Sequence, residues 1–81
     1  MNNTTIRTEK DAKLVADLEF KDFDEAFDMM TRIAELCKEH GHHPTWTNTY
    51  NKLHIELSTH DAGDTVTQKD RDLADAIEKV I

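Results

Sequence analysis

The feature that most narrows the fold is a change of hydrophobic period just after residue 20. Leu14, Ala16, Leu18 and Phe20 alternate with Lys13, Val15, Asp17 and Glu19, the period of two that marks a strand with one buried face. Directly afterwards Phe23, Ala26, Phe27, Met30, Ile33, Ala34 and Cys37 recur three and four apart, which is the apolar stripe of an amphipathic helix. Asp22 is placed to cap that helix, and Glu25 completes an acidic variant of the capping box. About five turns later Gly41 offers a left-handed stop, and Pro44 forbids continuation.

The period then returns to two. Thr45–Thr49 is rich in β-formers, and Leu53, Ile55 and Leu57 alternate with His54, Glu56 and Ser58. Tyr50-Asn51-Lys52 between them is short enough for a hairpin turn, and Ala62-Gly63-Asp64 reads as a loop. Thr67 is placed to cap a last helix with Leu73, Ala74, Ile77, Val80 and Ile81 on its apolar side. A short edge strand is expected around Thr4–Thr8. Strand, helix, hairpin and helix in that order predict an α+β fold, helices segregated from an antiparallel sheet, as one domain over residues 1–81. A domain of this size buries only about 60–65% of its unfolded surface, so association with further copies is a natural way to bury more.

Composition excludes several function classes. Seventeen acidic against ten basic residues leave a formal charge of −7, the wrong sign for direct nucleic-acid binding. The single cysteine, Cys37, lies on the apolar helix face and reads as buried filler rather than a nucleophile. Met29 and Met30 read as helix packing. Met1-Asn2-Asn3-Thr4-Thr5 has neither the basic start nor the apolar stretch of a signal peptide. No apolar run approaches the ~20 residues that span a bilayer. A soluble, cytoplasmic protein without membrane contact is expected.

Five histidines remain to be accounted for: His40, His42, His43, His54 and His60. In a regular strand Leu53, Ile55, Leu57 and Thr59 face the helices, while His54, Glu56, Ser58 and His60 face away. Antiparallel pairing would bring His42 and His43, before one strand, toward His60 at the end of its partner. Three readings compete. These are surface histidines with capping or hydrogen-bonding roles; or His40, His42, His43 and His60 hold a metal ion; or some form a metal-free acid–base site. Adjacent His42 and His43 are poorly placed to share one ion, and no second cysteine or obvious carboxylate completes a ligand set. No metal is expected. Asp70 reads as the capping-box partner of Thr67, a pair that stabilises the helix start by about 1 kcal/mol. Trp46 and Tyr50 could stack on a flat ligand or be ordinary strand residues.

The run from His42 to Gly63 resembles the pterin-4a-carbinolamine dehydratase family, some of whose members double as dimerisation cofactors of a homeodomain transcription factor. The family pattern is a polar or charged residue, His-His-Pro, a later aromatic residue, a third histidine and a downstream aspartate. Here it reads Lys38, His42-His43-Pro44, Tyr50, His60 and Asp70. Phe20-Lys21-Asp22-Phe23, Ala26-Phe27 and Met30-Thr31-Arg32 also look like the family, so the resemblance runs from about residue 11 to the end.

The resemblance implies a four-stranded antiparallel sheet with helices on one side, and dimers or tetramers built through sheets and long helices. It implies dehydration of a 4a-hydroxytetrahydropterin in tetrahydropterin recycling, with no cofactor, or a related role near molybdopterin metabolism. It assigns catalysis to His42, His43 and His60, and pterin contact to His42, His43, Pro44, Trp46, Thr59, His60, Asp61 and Ala62. A partner-binding module that kept the fold is the alternative. Three departures stand out. Lys38, with Glu39 beside it, occupies a position acidic in many members. The loop from His60 to Asp70 is one residue longer than in the animal proteins. The chain carries little of the family's N-terminal helix, and its last helix stops at Ile81, from which a weaker tetramer is expected.

Overall fold

The computed structural model describes residues 8–81, and in it the two alternating segments become the centre of a sheet. The elements are β1 (Thr8–Lys10), β2 (Lys13–Glu19), α1 (Phe23–His40), β3 (Thr45–Thr49), β4 (Lys52–Leu57) and α2 (Gln68–Val80). The four strands lie in the order β1-β2-β4-β3, every neighbouring pair antiparallel. Leu14 sits opposite Leu57, Ala16 opposite Ile55 and Leu18 opposite Leu53, so the apolar faces of β2 and β4 form one buried surface. Ala26, Ile33 and Cys37 of α1 and Leu73, Ala74 and Ile77 of α2 are buried with it. Each large side chain withdrawn from water there contributes about 1.5–3 kcal/mol. Among the described residues both helices cover one face and leave the other open, as the α+β reading expects.

The helix signals work as read, with one shift. The Asp22 side chain accepts from the Glu25 N–H at 2.9 Å, and Glu25 accepts from the N–H of Lys21, one residue before the cap. At the other end Gly41 adopts φ 61, the left-handed stop. Among the described residues no helix is long and apolar enough to cross a membrane.

Three expectations need adjustment. Phe23 and Phe27, counted with the apolar stripe of α1, are 43% and 53% exposed and stack on each other with centroids 5.7 Å apart. The stripe is wider than the contact line, and Ala26, Ile33 and Cys37 take the positions that meet the sheet. The β3–β4 turn has two residues, Tyr50 and Asn51, since Lys52 already pairs with Thr49. The segment after β4 is more ordered than a loop: His60–Ala62 forms a 3₁₀ turn, closed where Thr59 pairs with Thr65. Of the edge strand expected around Thr4–Thr8, only Thr8 falls within the described residues, where it opens β1. That strand joins β2 through Asp11 and Ala12, at φ 54 and 63, the two left-handed residues of a type I′ hairpin.

Candidate active site

Sheet register brings two histidine-bearing segments to one end of the molecule. Thr45 pairs with Glu56, so the chain entering β3 and the chain leaving β4 run side by side. One carries His42-His43-Pro44 and the other Ser58-Thr59-His60. The helix stop anchors the first: the His42 N–H donates to the Cys37 carbonyl at 3.1 Å, so His42 is set by the C-terminal cap of α1.

The His42 ring is largely buried, and its Nε2 lies 2.5 Å from Oδ1 of Asp70, a carboxylate with no solvent exposure. The other Asp70 oxygen accepts from the Thr59 hydroxyl and from the Thr67 N–H, both at 2.8 Å. Thr59 and Thr67 hydroxyls are themselves 2.6 Å apart. One carboxylate thus ties the start of α2, the end of β4 and the segment before β3. The capping role read from the sequence is present, and the same side chain also holds a histidine 28 positions away. The T-x-x-D spacing could not signal that second contact, because it is tertiary.

Burial alone would raise the Asp70 carboxyl, but hydrogen bonds from His42, the Thr67 amide and Thr59 outweigh it and hold the group below its ordinary range. An ionised carboxylate only accepts. In the neutral His42 ring, Nε2 therefore carries the proton and Nδ1 is the lone pair left for chemistry, an assignment that follows from the hydrogen-bond network.

His60 differs in exposure and in the ring nitrogen that meets its carboxylate. It opens the 3₁₀ turn, its ring is 89% exposed, and Nδ1 lies 2.9 Å from Oδ1 of Asp64. The Asp64 hydrogen bond, then the charges of Asp64 and Asp61, push the imidazole above its usual value. His43 is exposed beside His42, and Pro44 is half-buried. Trp46, half-buried, packs against the core from the helix side of β3. Asp61 and Ala62 are exposed on the turn; the Ala62 N–H is engaged by the Thr59 carbonyl and the Thr59 N–H by Thr65.

Direct hydrogen bonds therefore join His42, Thr59 and Asp70. His43, His60 and Asp61 lie at the same sheet end without side-chain bonds into that cluster among the described residues, and Ala62 joins it only through its N–H to the Thr59 carbonyl. Other candidates lie elsewhere. His40 ends α1, exposed. His54 sits on the open sheet face between Asp17 and Glu56, at 2.6 and 2.9 Å. Tyr50 tips the β3–β4 hairpin, a strand length of about 17 Å from Thr45. A hollow of about 680 Å³ lined by Phe20, Lys21, Met29 and Arg32 lies at that far end, where Leu18 and Glu19 pair with Leu53 and Lys52. It contains no histidine, so the reactive side chains rather than the hollow locate the site. Among the described residues no group of three or more His, Cys, Asp or Glu side chains is arranged to hold a metal ion. Burial pushes the Cys37 thiol up, which suits a packing role.

Two histidines, each hydrogen-bonded to its own carboxylate, at one sheet end are equipped to give and take protons. Comparison with known proteins bears on which chemistry that is. A relative from Burkholderia vietnamiensis, provisionally named a pterin-4-alpha-carbinolamine dehydratase, is 51% identical over 63 residues, covering 78% of this chain and 61% of its own. One of the same provisional name from Christiangramia forsetii is 54% identical over 63 residues, 78% of this chain and 64% of its own. The chain thus spans about three-fifths of the length of these relatives. A crystal structure of a transcriptional coactivator/pterin dehydratase from Brucella melitensis superposes with a TM-score of 0.84 at 31% identity, over 90% of this chain and 79% of that one. The family model described as pterin 4 alpha carbinolamine dehydratase matches residues 4–80. With the fold, the histidine-bearing sheet end and these matches in agreement, the chain belongs to the pterin-4a-carbinolamine dehydratase family.

Proposed function

We propose that the protein dehydrates a 4a-hydroxytetrahydropterin to the quinonoid dihydropterin as a step of tetrahydropterin recycling. The C4a–O bond breaks as a proton reaches the departing hydroxyl, water leaves, and the N5 proton goes to a base. His60 is the acid, because Asp64 and Asp61 favour its protonated form. His42 is the base through Nδ1, its ring oriented by Asp70. His43 holds and polarises the pterin. Pro44 and Trp46 back the ring, and the turn at Thr59, His60, Asp61 and Ala62 meets its amide-like edge. Each proton transfer of this kind contributes roughly 10²–10⁴-fold. The scheme uses the chain's own groups, with the pterin as substrate.

The observation that carries this reading is the Asp70 bridge, which supports His42 and the residue preceding His60 with one buried group. A homodimer or homotetramer accompanies it, supported by the exposed Phe23–Phe27 stack along α1. The test is the decay of chemically generated 4a-hydroxytetrahydropterin followed by stopped-flow absorbance, with wild type beside His60→Ala. Acceleration by wild type that is lost in the folded variant supports the reading; no acceleration by wild type overturns it.

A second reading rests on the same aromatic stack: a protein-binding module that kept the family fold, in keeping with the description of the Brucella melitensis protein as a transcriptional coactivator/pterin dehydratase. It expects a stable hetero-complex that survives replacement of His42, His43 and His60 together. A purely homomeric protein that turns over the pterin rules it out as the main role.

A further inference from the structure

His60 sits on the surface, and an exposed imidazole ordinarily samples several rotamers and both tautomers. Here the chain following it folds back to hold the ring. The Ala62 and Asp64 N–H groups donate to the Thr59 carbonyl at 3.2 and 3.1 Å, and the Gly63 N–H donates to the His60 carbonyl at 3.0 Å. The Thr59 N–H closes the loop onto the Thr65 carbonyl at 2.8 Å. Inside this closed loop Gly63 and Asp64 both take left-handed backbone, φ 87 and 57. Asp and Asn tolerate that conformation better than other residues with a side chain. The reversal turns the Asp64 carboxylate back onto Nδ1 of His60 at 2.9 Å.

We propose that Asp64 is a positioning residue for the dehydration: it fixes the proton of neutral His60 on Nδ1, so that Nε2 is the atom offered to the pterin. This rests on the dehydratase reading and adds to it a residue outside the His-His-Pro, His and Asp pattern. It also separates the two histidines by the atom each presents. His42 is held through Nε2 and leaves Nδ1, whereas His60 is held through Nδ1 and leaves Nε2. Opposed nitrogens let one ring take a proton and the other give one without competing for a carboxylate. Among the described residues the charges that bear on His60 are those of Asp64 and Asp61, both from its own loop, and both favour the imidazolium.

The substitutions follow from the backbone. Asp64→Asn keeps a side chain suited to φ > 0 and an oxygen acceptor but removes the charge. Asp64→Gly keeps the backbone conformation and removes both. Nitrogen-15 NMR of the histidine rings reads the His60 tautomer and titration without any substrate. A pH profile of stopped-flow dehydration reads the consequence for turnover. In wild type neutral His60 carries its proton on Nδ1; in Asp64→Gly it reverts to the Nε2–H form that an unconstrained imidazole prefers. Both variants lower the His60 pKa toward its ordinary value, because the Asp64 charge that raises it is gone, and the alkaline limb of the kcat profile moves down with it. Turnover above the midpoint then falls about threefold while KM is little changed.

An unaltered tautomer and titration in Asp64→Gly overturn the proposal. So does a wild-type profile that superimposes on those of both variants. A wild type that does not dehydrate the pterin removes the reading beneath the proposal; the NMR result then still decides whether Asp64 orients His60.

Discussion

Among the described residues two histidines meet carboxylates that lie far away in the sequence, and the two settings could hardly be more different. On the open face of the sheet, His54 of β4 lies between Asp17 and Glu56, with Lys13 bonded to Glu56 at 3.2 Å. At the sheet end, His42 meets Asp70. Asp17 is 84% exposed, whereas Asp70 is wholly buried. Exposed pairs are weak because water solvates both partners; a buried carboxylate with its donors removed has nothing to replace them. A histidine beside an acid is therefore not in itself a site. What distinguishes the Asp70 cluster is that one desolvated group sets the positions of three separate segments.

The sharpest break in this comparison is in turnover. Replacing His42 with alanine is expected to lower dehydration by roughly 10²–10⁴-fold, whereas His54→Ala leaves it within about twofold of wild type. Stopped-flow decay of the carbinolamine measures both, and equal losses would erase the distinction between the clusters. Next in size is stability. Asp70→Ala strands the hydrogen-bond donors of His42, Thr59 and Thr67 and should cost about 3 kcal/mol, read from urea unfolding; Asp17→Ala should stay within about 0.5 kcal/mol of wild type.

The pH dependence of stability sharpens the contrast further, because the two clusters titrate in opposite senses. The Asp70 carboxyl is lowered in the folded protein despite burial, through its donors. Its contribution is present above the ordinary carboxylate range and is lost as pH falls through the lowered folded value. His54 is raised, first by its bond to Glu56 and then by that to Asp17. Its contribution is complete below the ordinary histidine pKa and is lost as pH rises through the raised folded value. The stability difference between wild type and His54→Ala should thus be about 0.5 kcal/mol near pH 6, after allowance for exposure, and should vanish toward pH 9. A difference that grows with pH would reverse the assignment. The smallest effect lies outside both clusters. Ala12 occupies a left-handed position in the β1–β2 turn, and Ala12→Gly should stabilise by about 0.5–1 kcal/mol. The same gain measured in wild type and in Asp70→Asn would show the hairpin to be energetically independent of the site.

The parts of this structure legible in the sequence are those written locally. The strand alternation from Leu14 to Phe20, the Asp22 cap, the Gly41 stop and the Thr67–Asp70 capping pair all act over a few residues, so spacing reveals them. The inward face of β4 followed from alternation too, including Thr59, which is buried as its register required. Spacing was less informative for Phe23 and Phe27. A helical stripe shows which residues share a side of the helix, not how much of that side a neighbouring sheet covers. The Asp11-Ala12 hairpin is not legible in the sequence because Ala12 lacks the glycine or asparagine that usually marks such a turn.

By itself the sequence determined the order and limits of most elements, the buried faces of β2 and β4, and the histidine pattern that resembles the family, since each depends on neighbours along the chain. Only the tertiary structure decided that β4 lies between β2 and β3. It alone also decided that Tyr50 and His54 lie away from the histidine end, and that Asp70 serves His42 as well as its own helix. These depend on strand pairing and on which polar group is withdrawn from water. A buried carboxylate must find its donors wherever the fold supplies them, and for Asp70 they came from three segments that the linear chain keeps apart.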